Sequence, residues 1–327
     1  MFLPPDVDPA LQGEWLAVAT SDDVGPAPIR RTILGEALVV WRSREGVHAF
    51  RDLCIHRGTA LSLGRVEDDA LVCPYHGWRF ATNGQCILIP AQPELPIPTK
   101  AKAYSYRCQE QHGLVWVALG QPTLPPPSYP EAHDPSFKTI LCGPYTVDAA
   151  APRVVENFLD VSHLMWVHEG YLGDSAHAAI PEYRVHERDG VLATDPIDIF
   201  QPDPDGRGRH LVNRYVYSVL RPLTAHFRKT DNRSSDTFAM MLHATPVAAR
   251  QTVAYALLSR NYALETPDEV FRAFQDKIFS QDVTIMLSQR PEELPLDLAA
   301  ELHIKSDRLA IAYRKWLKAK GIATGVA

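Results

Sequence analysis

The sequence predicts an α+β chain in two parts: an all-β domain over residues 1–125 and an α+β domain over residues 131–327 built on an antiparallel sheet. Three observations carry this. Short apolar runs (EWLAVAT, TILGEALVVWR, GVHAFRDL, DALVCPY, GLVWVAL) recur through the first 120 or so residues, divided by Gly, Pro and Asp. A proline-rich segment, PTLPPPSYP at 122–130, reads as a stiff, solvated spacer and places the boundary. Beyond it, helical patterns flank the β-like stretches LVNRYVYSVL, DTFAMMLHAT and TVAYALLS.

Taken in order, residues 151–169 (APRVVENFLDVSHLMWVHE) read as helical, with Pro152 suited to the first turn. Thr266-Pro267-Asp268-Glu269 reads as a capping box with Thr266 at the N-cap, opening a helix that runs to about Gln289, before Pro291. A last helix is expected over Leu296–Lys320, ending at Gly321.

Composition narrows the classes. The chain has 327 residues, 46% hydrophobic and 22% charged, which excludes a disordered, collagenous or coiled-coil protein. A net charge of −6 gives no basic footprint for nucleic acid. No apolar run is long enough for a membrane span, and MFLPPDVDPALQGEW lacks the basic and apolar regions of a signal peptide. The five cysteines are odd in number and sparse, which fits free thiols in a reducing cytoplasm.

Four residues stand out. Cys54-Ile55-His56 and Cys73-Pro74-Tyr75-His76 form two Cys/His loops with 16 residues between them, each followed closely by a glycine (Gly58, Gly77). Two thiolates and two imidazoles suit tetrahedral Zn²⁺, or a Rieske [2Fe–2S] cluster with two thiolates on one iron and two imidazoles on the other. Cys86, Cys108 and Cys142 are then spare and expected to act as small buried hydrophobes.

A second constellation lies downstream. His163 and His168 are five residues apart, about 140° of helical rotation, so one regular helix cannot present both to one point. They can meet if the helix is locally widened or ends between them. On the helix after Thr266, Phe271, Phe274, Ile278, Asp282 and Ile285 fall on one stripe, which buries Asp282. A buried carboxylate needs a partner, and a metal supplies one. Asp276 lies well off the stripe and is the weaker candidate. Two His and one Asp make a facial triad suited to non-haem Fe(II) with positions open for O₂.

These segments resemble one family. CIHRGTALSLG and LVCPYHGWRF are similar to the Rieske domain of ring-hydroxylating oxygenases, with Ile55 where proline is common. ENFLDVSHLMWVHEG and SQDVTIMLSQRP resemble that family's catalytic iron segments, with Leu287 where many relatives carry Glu. The C-terminal ELHIKSDRLAIAYRKWLKAKGI resembles the subgroup of saxitoxin-pathway hydroxylases, toluenesulfonate methyl-monooxygenase and vanillate and dicamba O-demethylases. The resemblance runs from about Trp15 nearly to the end.

The resemblance implies a Rieske domain followed by a helix-grip-like catalytic domain. It implies a [2Fe–2S] cluster on Cys54, His56, Cys73 and His76, and mononuclear iron on His163, His168 and Asp282. Asn157 and Asp160 take catalytic roles, with Asp160 bridging His76 of a neighbouring subunit to His163 in a homotrimer. The implied protein is a terminal monooxygenase that uses O₂ to hydroxylate or demethylate a small aromatic or heterocyclic substrate. No Gly-rich dinucleotide fingerprint occurs, so electrons are expected from a separate NAD(P)H-dependent reductase or ferredoxin. A cis-dihydroxylating dioxygenase, and an electron-transfer protein with an inactive second iron site, are the alternatives. For the pocket, Asn213, Tyr215, Tyr217, Met240 and Met241 are loose candidates. Arg207, Arg209, Arg228, Lys229 and Arg233 lend the same region a basic character, read mainly as a solvated face.

Overall fold

A computed structural model describes residues 7–327, and the chain divides into two compact units between Pro126 and Pro127. The first unit carries β1 (Leu16–Thr20), β2 (Ile29–Ile33), β3 (Glu36–Ser43), β4 (Gly46–Arg51), β5 (Arg65–Glu67), β6 (Ala70–Val72), β7 (Arg79–Phe80), β8 (Cys86–Leu88), β9 (Ser105–Gln111) and β10 (Leu114–Ala118). Its larger antiparallel sheet has the order β1-β10-β9-β4-β3-β2, and its smaller one β5-β6-β7-β8. Both sheets contribute to one apolar cluster that includes Val39, Trp41, Phe50, Leu71 and Phe80, together with Cys54 and Cys73. The two cysteines therefore sit where the loops leave the core.

The second unit begins with β11 (Lys138–Val147), followed by α1 (Ala151–Leu159) and the single turn α2 (Leu164–Val167). Then come β12 (Val185–Arg188), β13 (Val191–Thr194), β14 (Ile197–Gln201), β15 (Leu211–Arg221), β16 (Thr224–Asp231), β17 (Thr237–Ala248) and β18 (Gln251–Arg260). The helix α3 (Asp268–Ser288) and the last helix α4 (Arg308–Lys320) close the chain. The sheet is antiparallel, β11-β18-β17-β16-β15-β13-β12, with β14 also paired to β15. Alternation along the central strands sends Tyr215 and Tyr217 of β15, Phe227 and Lys229 of β16, and Phe238, Met240 and Leu242 of β17 toward one cavity.

Five expectations are corrected. The proline-rich segment is not a solvated spacer throughout: Pro126, Pro127 and Tyr129 are buried, and the Tyr129 hydroxyl donates to Ala239 O at 3.0 Å. The 151–169 helix is broken, because Asp160 turns extended (φ −76°, ψ 127°) and its carboxylate accepts the Ser162 N–H at 2.8 Å. An Asp side chain that takes a nearby backbone N–H competes with helix continuation. Thr266 makes no capping bond and Pro267 occupies the N-cap of α3. Arg260 holds both the Thr266 carbonyl (3.2 Å) and the Asp268 carboxylate (3.0 Å), which moves the helix start onward.

The other two corrections concern faces and lengths. α3 buries Phe271, Ile278, Phe279, Asp282 and Met286, while Ile285 is exposed, so its buried face is turned slightly from the apolar stripe. Phe279 stacks on Tyr145 of β11 (4.3 Å between ring centres), and that contact sets the rotation. The last helix is shorter than expected because Leu296 N bonds Ala327 O at 2.8 Å and Leu294 bridges Val326. Those backbone groups are spent on pairing with the C-terminal residues and cannot enter a helix.

α1 is anchored by a buried ionic network. Arg314 of α4 donates from Nε and Nη2 to the two Glu156 oxygens (2.6 and 2.8 Å), and from Nη2 to Glu301 (2.5 Å). Arg153 reaches Glu301 at 2.9 Å, and both arginine side chains are at most 3% exposed. Removing one member leaves an uncompensated buried charge, a loss of about 3–5 kcal/mol. Arg314→Met is expected to lower the urea midpoint accordingly, and Glu156→Gln in the same chain to recover part of the loss. Unfolding followed by circular dichroism measures both.

Candidate metal centres and their pocket

The two Cys/His loops are built alike. Cys54 follows β4 and Cys73 follows β6. In each, the glycine four residues on returns its N–H to the cysteine carbonyl: Gly58 to Cys54 O at 2.8 Å, Gly77 to Cys73 O at 3.1 Å. Both glycines have positive φ (73° and 68°), a conformation that Cβ-bearing residues disfavour, which is why glycine stands there. Cys54 N further bonds Thr59 O (2.7 Å) and Cys73 N bonds Trp78 O (2.9 Å). Each loop is therefore closed by two backbone hydrogen bonds.

The side chains converge. The rings of His56 and His76 lie 4.6 Å apart, and His56 stacks flat on Trp78 at the same separation. Cys54 and Cys73 are each 2% exposed, and burial pushes the Cys54 thiol up, so a thiolate there needs a compensating cation. His56 Nδ1 is buried without a hydrogen-bond partner among the described residues. Two buried sulfurs, two facing imidazoles and an orphaned ring nitrogen fit a Rieske cluster. Ile55 is 37% exposed and projects away from that core. Cys86 and Cys142 are buried, Cys108 is half-buried, and burial raises all three thiols, Cys108 and Cys142 to about 12. Raised in this way, the three thiols stay protonated at neutral pH.

In the second unit the break after α1 brings the histidines together. His163 is the N-cap of α2 and His168 its C-cap. Gly173 passes so close to this turn that a Cβ there would meet Leu164 C and Met165 Cα at 2.6 Å. α3 brings Asp282 opposite. His163 Nε2 and His168 Nε2 are 3.2 Å apart, and Asp282 Oδ1 lies 3.4 and 3.1 Å from them. Donors bound about 2.1 Å from one metal stand about 3.0 Å apart at right angles and about 3.4 Å apart at tetrahedral angles. The observed triangle therefore fits a single cation on one side of it. Asp276, the weaker candidate, is exposed and accepts from the Tyr145 hydroxyl at 2.6 Å. Leu287 is 45% exposed and takes no part.

The surrounding groups aim these donors. His168 Nδ1 donates to Gln281 Oε1 at 2.8 Å, which turns the Nε2 lone pair inward. Asn157 Nδ2 approaches Asp282 Oδ1 at 3.5 Å. Asp160 Oδ2 stands 3.7 Å from His163 Nδ1, an ionic contact too long for a hydrogen bond. Burial acts to lower the pKa of His163, but Asp160 and Asp282 outweigh it and favour the cation. Sequence reading missed Gln281, whose place next to Asp282 was the available signal.

The triad opens into a cavity whose walls include Phe158, Leu172, Tyr217, Phe227 and Ile278. Of the loose candidates, Tyr215, Tyr217 and Met240 line it. Asn213 instead donates to Gln201 Oε1 (2.8 Å) beside a second, smaller cavity, and Met241 is buried on the other side of its strand. Arg207, Arg209 and Arg228 face Asp205, Asp236 and Glu131, and Arg233 is exposed. Lys229 departs from the solvated-face reading. It is 4% exposed and lines the main cavity, as its alternation with Phe227 could have told.

Comparison with known proteins gives the family. Residues 14–109 match the Rieske [2Fe-2S] domain, and residues 147–321 match the vanillate O-demethylase oxygenase C-terminal domain. The chain is 32% identical to the methylxanthine N1-demethylase NdmA of Pseudomonas putida over 93% of its own length and 85% of the relative's. It is 30% identical to the N3-demethylase NdmB of the same organism, over 90% and 83%. The solved structure of Pseudomonas putida CBB5 NdmA with caffeine superposes with a TM-score of 0.83 at 30% identity, covering 94% of this chain and 90% of that one. This chain belongs to the Rieske non-haem iron oxygenases, enzymes that work with a [2Fe–2S] cluster, mononuclear iron and O₂.

Proposed function

We propose that this oxygenase removes a methyl group, as formaldehyde, from a small aromatic or heterocyclic substrate held beside His163, His168 and Asp282. The observation that carries the reading is the three-donor triangle, with 3.1–3.4 Å edges, at the wall of a cavity lined by aromatic and aliphatic side chains. Two of the relatives above are named for N-demethylation of methylxanthines. In balance, an N- or O-methyl group, O₂, two electrons and two protons give a hydroxymethyl group and water; the hydroxymethyl then leaves as formaldehyde.

Cys54, His56, Cys73 and His76 would hold the cluster, and His163, His168 and Asp282 the iron. When bound, these groups supply electron delivery and O₂ activation. The chain's own residues do the rest. Gln281 keeps His168 in the tautomer that can bind metal, and Asn157 restrains Asp282. Phe158 and Phe227, stacked at 5.2 Å between ring centres, offer a flat wall to a planar ring and keep bulk water out. A cis-dihydroxylating dioxygenase and an inactive electron carrier are the competing outcomes.

The enzyme is proposed to act as a cytoplasmic homotrimer fed by a separate NAD(P)H-dependent reductase or ferredoxin. No helix among the described residues is long and apolar enough to cross a membrane. Asp160, with a side chain 38% exposed, is proposed to link His163 to His76 of a neighbouring subunit.

His163→Ala and Asp282→Ala are expected to lose mononuclear iron and at least about a thousandfold in turnover, with the cluster's visible absorption kept. Cys73→Ser is expected to lose that absorption. Metal analysis and single-turnover assays with methylxanthines and methoxylated benzoates check both, and full turnover in either iron-site variant overturns the assignment. Asp160→Asn is expected to keep cluster, iron and a trimeric mass in light scattering, but to slow cluster reoxidation at least about tenfold. A monomeric wild type contradicts the bridging role.

A further inference from the structure

The cavity beside the triad holds one charged group that the demethylation reading does not use. Lys229 is 4% exposed on β16 and lines both the triad cavity and the smaller one next to it, as Pro204 and Phe238 also do. Its Nζ donates to Pro204 O at 3.1 Å and lies 4.7 Å from the Phe238 ring centre and 5.7 Å from that of Tyr215. Among the described residues this is the only hydrogen bond it makes, out of the three that an ammonium can donate. No carboxylate among them lies within 4.0 Å of it.

The nearby acids have other partners, although Asp205 Oδ1 is buried without a hydrogen bond among the described residues. Asp205, 2% exposed, pairs with Arg207 at 2.5 Å, and Asp236 pairs with Arg209 at 3.0 Å. Asp231 accepts from Arg233 N at 3.0 Å and from the Ser234 hydroxyl at 3.3 Å. Burying an ammonium that is not fully paired is costly, and an apolar residue of like length would pack there without that cost. A lysine at this place is explained by a ligand that completes its hydrogen bonds.

We propose that Lys229 is a specificity-determining residue that selects substrates carrying an anionic oxygen, a carboxylate, sulfonate or enolate-like heterocycle oxygen, at the end away from the methyl group to be oxidised. The proposal rests on the oxygenase reading above and names the substrate class of the same site. Burial lowers the pKa of Lys229 to about 8, with Asp205 opposing, so the ammonium still predominates at neutral pH. A neutral isostere of the substrate offers at most an uncharged acceptor, so its bond to the ammonium lacks the charge assistance of an anionic oxygen. A charge-assisted hydrogen bond corresponds to at least about a tenfold preference.

The test is binding, measured by equilibrium dialysis under nitrogen on the cluster- and iron-loaded enzyme at pH 7. Three matched pairs serve as probes: 4-methoxybenzoate with 4-methoxybenzamide, 4-toluenesulfonate with 4-toluenesulfonamide, and 1,3-dimethylurate with 1,3-dimethylxanthine. In the wild type at least one anion is expected to bind about tenfold or more tightly than its neutral partner. In Lys229→Met and Lys229→Gln that ratio is expected to fall to about threefold or less, with iron and cluster contents unchanged. A lysine that only pinned the Pro204 carbonyl would weaken both members of a pair equally. The proposal fails if no anion outbinds its partner, or if the preference survives both substitutions. Dialysis needs no turnover, so such a failure at full iron occupancy overturns the Lys229 assignment alone. An enzyme that takes up no iron overturns the reading beneath it.

Discussion

Three electron-pair donors pointed at one another are a liability inside a protein. His163 Nε2, His168 Nε2 and Asp282 Oδ1 stand 3.1–3.4 Å apart with Asp282 only 8% exposed. With neither a proton nor a metal ion between them their lone pairs repel, and desolvation removes the water that would otherwise separate them. A cation held by all three, to one side of their triangle, would turn the same arrangement into a favourable contact. Much of the second unit is organised to hold that geometry. The break at Asp160 lets His163 and His168 share a point, and α3 carries Asp282 to the same point from more than 100 residues away.

The framework holds this triangle by spreading the task over unlike interactions. The Arg314–Glu156–Glu301–Arg153 network fixes α1, which carries Asn157 and leads into the break. The stack of Tyr145 on Phe279 fixes the rotation of α3 about its axis, and that rotation decides which of its carboxylates faces inward. Alternation along β15, β16 and β17 then supplies a cavity wall whose aromatic faces come from three neighbouring strands. A site of this kind combines rigid donors with a wall whose side chains can vary. Among the apolar and aromatic side chains of that wall, Lys229 stands out as a buried ammonium.

The first unit solves a simpler problem. Two short loops, each closed by a glycine N–H returning to a cysteine carbonyl, present two buried sulfurs and two imidazoles. Trp78 covers one ring face of His56, leaving its nitrogens for ligation. The loops depend on local hydrogen bonds and the strands that flank them, so nearly everything about this centre lies in residues 54–78. That locality is why the convergence of Cys54, His56, Cys73 and His76 could be expected from their order along the chain.

Legibility falls as contacts become longer in range. By itself the sequence determined the two-part α+β plan, the Cys/His loops and the burial of Asp282, because each rests on local spacing or on the period of one element. The helix that was expected through 151–169, the capping box at Thr266 and the length of the last helix went otherwise. Each was decided by a competitor distant in sequence or by a side chain taking a backbone group: Asp160 on Ser162, Arg260 on Thr266 and Asp268, the C-terminal residues on Leu294 and Leu296. Only the tertiary structure could decide that His163 and His168 meet through a helix break and that Gln281 steers His168. The physical reason is the same in each case. Local spacing states which groups are available, whereas burial and pairing depend on what the rest of the chain brings against them.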